Sequence, residues 1–165
     1  MVKLKNHRRK KIKKKSHNFN LNLDYLIKNE IKHNAIRQEF SEDCLKLASD
    51  VSKKKILDHE DLTHIPFVTI DGKDSKDFDD AVWSKKKGNK IEIMIAISDV
   101  SFYVNPGDSL DLEAKKRGNS FYLPNKVIPM LPELLSNELC SLIPNKNRLC
   151  IIVKVKVNKK GKIIS

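Results

Sequence analysis

Five aspartates and two lysines fall within ten residues, Asp71-Gly-Lys-Asp-Ser-Lys-Asp-Phe-Asp-Asp80. Carboxylates crowded in this way repel and raise one another's pKa, which disfavours a compact cluster at neutral pH. A hard divalent cation reverses the sign. Magnesium takes carboxylate oxygens, keeps several waters and binds substrate phosphates at its remaining positions. It stabilises charge on a phosphodiester and lowers the pKa of a bound water. The ingredients suit metal-assisted phosphodiester hydrolysis. In extended backbone Asp77 and Asp79 face one way and Asp80 the other, so one metal site needs a bend or bulge between them. The competing reading is a solvated acidic loop, since alternating Asp and Lys is common on surfaces. An EF-hand calcium loop does not fit, because the required D-x-[DN]-x-[DN]-G spacing is absent.

Elements of both kinds flank the cluster. Leu23, Leu26, Ile27 and Ile31 recur at helical spacing and predict an amphipathic helix over 22–33. Ser41 caps a second helix with Glu42 and Asp43 in its first turn and a stripe of Cys44, Ala48 and Val51. Residues 52–64 are polar and read as a linker. Phe67–Ile70 predicts a strand delivering Asp71 at its exit. Ala81–Trp83 and Ile91–Ile97 flank Lys85–Asn89 as a hairpin with a Gly-Asn turn. Because Met94 and Ala96 make its second face apolar too, 91–97 reads as a central strand. A short helix over 110–117 ends at Gly118, a strand covers 120–123, and Pro132 opens a helix over 132–142. Leu149–Val157 is a strand, and Asn158–Lys162 a turn leading to Ile163-Ile164. That last hairpin arm has two apolar residues before Ser165, so the expected domain is truncated relative to its own pattern. The fold class is α+β, with a mixed, mainly antiparallel sheet and short helices.

The 165 residues suit one ordinary domain, and 33 Lys+Arg against 21 Asp+Glu give a net charge of +12. Nine of those cations lie in the first 15 residues, leaving about +3 for the remainder. A block that dense repels itself and predicts a disordered basic tail over 1–18. It either neutralises nucleic-acid phosphates or only solubilises the chain. No stretch of 18 apolar residues exists, and none near the start resembles a signal peptide. Cys44, Cys140 and Cys150 are odd in number and lack any CxxC spacing, which fits a reduced cytoplasm without membrane association.

Asp61-Leu-Thr-His-Ile-Pro-Phe-Val-Thr-Ile-Asp-Gly-Lys-Asp-Ser-Lys-Asp-Phe-Asp-Asp-Ala-Val82 resembles the catalytic signature of the ribonuclease II / ribonuclease R (RNB) family. Ala96–Ser101 with Tyr103-Val104, Arg117–Tyr122, Val127–Glu133, and Leu135–Leu142 with Arg148–Cys150 resemble its following blocks in order. The bacterial ribonuclease R branch is the most similar. The resemblance covers about 30–165 and implies an incomplete RNB-type catalytic domain over 61–165. A helical segment over 19–60 and the basic tail would precede it. It further implies a Mg2+-dependent, hydrolytic exoribonuclease that works from single-stranded RNA 3′ ends and releases nucleoside 5′-monophosphates. Asp79 matches the residue most directly tied to cleavage. Asp71 and Asp80 match metal-holding positions, and Asp77 a supporting carboxylate of that metal site. Tyr122 matches an aromatic that holds the terminal nucleotide by stacking, a contact tolerant of base identity.

The family's second half of the domain, with a catalytically important arginine, has no counterpart here. Three functions therefore compete: an exoribonuclease fragment expected to be inactive alone, a non-catalytic RNA-binding remnant, and one half of a split enzyme completed by a separately encoded C-terminal half. Trp83 reads as core before RNA stacking. Asp99 and Asn137 read as local backbone partners. The five histidines show no ligand spacing, and Arg117 fits a phosphate contact or a helix end equally.

Overall fold

The computed structural model describes residues 22–56 and 58–165, so the basic tail expected over 1–18 lies outside the described residues. The chain divides between Ala35 and Ile36 into two compact units. In the first, helix α1 (Leu23–His33) starts where the Asn22 side chain accepts hydrogen bonds from the Asp24 and Tyr25 amides. Lys32 and His33 occupy its last turn, where cations complement the helix dipole. Ile27 and Ile31 are its buried residues.

The second unit contains everything else. Helix α2 (Glu42–Val51) is capped by Ser41, whose hydroxyl accepts from the Cys44 amide, as the sequence predicts. Its Cys44, Ala48 and Val51 enter a core shared with Tyr103, Leu110, Leu131, Leu135, Cys140 and Leu149. Strands β1 (Asp80–Lys87) and β2 (Lys90–Ser98) form the expected hairpin, and Gly88 takes a φ of 61° in its turn, open to glycine at no steric cost. Helix α3 is Ser109–Arg117, β3 is Phe121–Leu123, β4 is Lys126–Ile128 and β5 is Cys150–Asn158. The order β1-β2-β5 makes β2 central, with every pairing antiparallel, and β3 pairs with β4 in a separate hairpin.

Two expectations are corrected. Phe67–Ile70 does not form a strand; Val68 makes a single bridge to Val82, and Ile70 is 83% exposed. Pro66 lacks an amide, and the chain turns away at Gly72, so the ladder stops after one pair. The helix expected over 132–142 shrinks to one wide π-helical turn, Leu134–Leu139, closed by the Cys140 amide on the Leu135 carbonyl. The extra residue in that turn sends Cys140 into the core and leaves Ser141 free to bond elsewhere, as such bulges commonly do at functional sites. The sheet face that carries Ile97, Ile151 and Val153 is exposed, and burial at that end falls on Ala81, Ala96 and Ser98 of the opposite face.

Arg117 has an internal role. Its guanidinium lies 3.6 Å over the Phe40 ring and pairs with Glu113 at 3.0 Å. It also donates to the carbonyls of Arg37, Glu39 and Pro129 at 2.9, 2.6 and 3.2 Å. One buried fork thus ties the end of α3 to residues 37–40 and to the segment following β4. No described helix is long and apolar enough to cross a membrane.

Lysine is not an equivalent here, because it lacks the planar fork. Arg117→Lys should cost about 3 kcal/mol in denaturant unfolding by leaving buried acceptors unpaired. Hydrogen bonding to Arg37, opposed by burial and reinforced by Arg117, holds the Glu113 carboxyl below the usual range. Its contribution to stability is therefore full above the ordinary glutamate pKa and is lost as pH falls through the lower folded value. Glu113→Gln should flatten the acid limb of the stability–pH curve.

Candidate active site

The aspartate-bearing segment has no regular structure between Asp71 and Asp79, so its shape must come from specific bonds. A turn closes first, with the Ser75 amide on the Gly72 carbonyl at 3.0 Å. A side chain at Gly72 would press on the Ser75 hydroxyl at 3.3 Å, so glycine keeps the turn compact. The next three residues are gripped by Ser141, which is fully buried. Its hydroxyl donates to the Lys76 carbonyl at 2.7 Å and accepts from the Phe78 amide at 3.0 Å. The Leu142 amide then donates to the Phe78 carbonyl at 2.9 Å, and the Ser98 amide to the Asp79 carbonyl at 2.8 Å. Asp80 follows as the first residue of β1, opposite Ile97. The bend anticipated between Asp77 and Asp80 is therefore a pinned loop that passes into a strand.

The resulting electrostatics centre on Asp79. Partial burial raises its pKa above the ordinary aspartate value, and the charges of Asp77, Asp80 and Asp71 raise it further, in that order. Asp74 is exposed and plays no part in that shift. Tyr122 on β3 donates its phenol to the Asp77 carboxylate. That bond, with burial second, pushes the Tyr122 pKa up to about 12. The residue remains 63% exposed. Asp71, Asp77 and Asp80 thus act on Asp79 through their charges, and Tyr122 is bonded to Asp77.

Among the described residues, no three acidic, histidine or cysteine side chains converge closely enough to hold a metal ion by themselves. Such convergence is more than magnesium needs. This ion is usually held by one or two carboxylates, with waters and substrate phosphates completing its shell. The donor chemistry fits it, because the segment offers hard carboxylate oxygens near enough for their charges to act on Asp79. Cys140 offers no competing soft ligand. Burial pushes its thiol up to about 11, so it stays protonated at neutral pH.

Sequence reasoning missed the groups that shape the loop. Ser141 and Arg148 lie in the blocks 135–142 and 148–150, but nothing in their residue types marks them as loop anchors. Arg148 donates to the Ser141 carbonyl at 2.9 Å and so fixes the anchor itself. A cleft of about 510 Å³ also lies beside the loop, bounded by Ser75, Lys76, Phe78, Glu133, Asn137 and Glu138, and none of the five aspartates lines it.

The RNB domain family matches residues 59–165. Ribonuclease R of Escherichia coli K12 is 49% identical over 118 residues, covering 71% of this chain and 14% of that protein. Ribonuclease R of Vibrio parahaemolyticus is 48% identical over 120 residues, again 14% of its length. Mycoplasma genitalium RNase R, solved with ribose-methylated single-stranded RNA, superposes with a TM-score of 0.79 at 36% identity. That superposition covers 85% of this chain and 22% of the solved one. The chain thus spans about a seventh of the length of the curated relatives it resembles.

A carboxyl whose folded pKa is raised above its unfolded value opposes folding once pH exceeds that unfolded value, fully so above the folded one. Asp79→Asn should therefore raise the melting temperature at pH 7. The gain should shrink as pH falls through the Asp79 pKa and vanish below the ordinary aspartate value. Saturating magnesium should reduce it as well, because the cation offsets the same repulsion in the wild type.

Proposed function

The chain belongs to the RNB-domain family, that of ribonuclease R, and on that premise we propose that it carries the metal-binding half of a hydrolytic 3′-to-5′ exoribonuclease site. The substrate is the 3′ end of single-stranded RNA, and the products are nucleoside 5′-monophosphates. One observation carries the reading: the charges of Asp77, Asp80 and Asp71 bear on Asp79, and Asp77 is bonded to the exposed Tyr122.

Asp71 and Asp80, supported by Asp77, would hold Mg2+. When bound, that ion neutralises charge on the scissile phosphodiester and lowers the pKa of a water. Asp79, with its raised proton affinity, orients the attacking water and is suited to accept its proton. The Tyr122 ring presents an exposed face to the terminal base while its hydroxyl is tethered to Asp77. Stacking of this kind is worth about 1–3 kcal/mol per base and does not discriminate strongly among bases. The three free cysteines are compatible with a cytoplasmic setting.

A second reading, an RNA-binding remnant without catalysis, draws support from the absence of three converging ligands among the described residues. A separately encoded C-terminal half would favour catalysis by supplying further transition-state stabilisation. The assay is 3′ trimming of a 5′-labelled single-stranded RNA with magnesium present. With a C-terminal half supplied in trans, wild type should yield a ladder that EDTA abolishes, and Asp79→Asn should slow trimming at least about 100-fold with RNA affinity unchanged. Equal trace activity in the two proteins would rule out catalysis by this site. Binding without trimming in either would establish the remnant.

A further inference from the structure

We propose that Ser141 is a positioning residue for the aspartate loop, acting through the backbone of the residues that flank Asp77. The inference rests on the nuclease reading for its purpose and on local geometry for its substance.

Three observations carry it. Ser141 is completely buried, yet its hydroxyl makes no bond within its own segment. Both of its bonds cross to the loop, donating to Lys76 and accepting from Phe78, 65 and 63 residues away. These two residues bracket Asp77, the carboxylate that holds Tyr122, and Phe78 directly precedes Asp79. The anchor is itself anchored. The π-helical turn ends just before it, the Leu142 amide reinforces the grip on Phe78, and Arg148 fixes the Ser141 carbonyl.

A buried hydroxyl used only for stability could bond any nearby carbonyl. This one satisfies a donor and an acceptor on either side of one carboxylate, which fixes that peptide's orientation as well as its position. Without it the Phe78 amide and Lys76 carbonyl lose their partner, and the loop gains freedom to let its mutually repelling aspartates separate. Ser98 provides a matched comparison. It is 7% exposed, its hydroxyl faces Cys140 and makes no bond to the loop, and it holds Asp79 through its amide alone. Ser98→Ala therefore removes a buried hydroxyl without touching the loop's bonds.

The experiment compares Ser141→Ala with Ser98→Ala in the full chain. It reads amide hydrogen exchange residue by residue and Mn2+ binding by calorimetry well below the melting temperature. Ser141→Ala should accelerate exchange of the Phe78 amide by at least about tenfold and weaken Mn2+ binding by a similar factor. Ser98→Ala should change neither, even if both variants melt earlier. Unchanged Phe78 protection in a folded Ser141→Ala protein overturns the proposal, as does equal loss in the two variants. Absence of saturable Mn2+ binding in wild type, with Phe78 still deprotected by Ser141→Ala, defeats the metal reading while sustaining the clamp. Should Ser141→Ala fail to fold, Ser141→Cys keeps the volume with a weaker donor and acceptor, and the same exchange comparison decides.

Discussion

Negative charges that repel one another must be kept together by bonds that do not use those charges. This constraint governs the 71–80 segment. Its carboxylates gain nothing from proximity in the absence of a cation, and the proton affinity of Asp79, raised first by burial, is raised further by its neighbours' charges. Backbone groups meet it. Lys76 and Phe78 are tied to Ser141, Phe78 also to Leu142, and Asp79 to the end of β2 through Ser98. The side chains remain available while the main chain is fixed, which is the division of labour that a preorganised ion site requires.

The rest of the second unit secures the two sides of that arrangement. On one side, the central strand β2 supplies Ser98 and pairs with β1, whose first residue is Asp80. On the other, the β3-β4 hairpin brings Tyr122 to Asp77. That hairpin lies between α3 and Pro129, and both are bound to the Arg117 fork. Arg117 thus anchors the flanks of the element that carries the aromatic and does not meet phosphate itself. Its burial against Phe40 and Glu113 explains why an arginine beside a nucleic-acid-like motif is internal.

Much of this was legible in the residues, and the gaps have physical causes. Helix α1 announced itself through periodic apolar positions, α2 through Ser41 and its apolar stripe, and α3 through Gly118 at its end. The β1-β2 hairpin was readable from Gly88-Asn89 between apolar runs, and β2 as central from its two apolar faces. The strand expected at Phe67–Ile70 failed because β-propensity says nothing about how long a partner edge remains in register. The helix expected after Pro132 failed because tertiary bonds from Ser141 and Leu142 to the aspartate loop reward a wider turn. Strand β4 was overlooked because three residues beginning with a lysine carry no periodic signal. At the candidate site, residue type and motif singled out the aspartates and Tyr122 as candidates. Their support was not, since a serine that bonds backbone more than sixty residues away leaves no local trace.

The central claim is that backbone anchoring holds these carboxylates ready for one divalent ion. A crystal structure of the chain grown with Mn2+, read by anomalous diffraction, tests it most directly. The account predicts a peak at coordinating distance, about 2.1 Å, from a carboxylate oxygen of Asp71 or Asp80, with the 76–79 backbone unmoved. A peak bound only elsewhere, or a loop that must be rebuilt before it can take the ion, would contradict it.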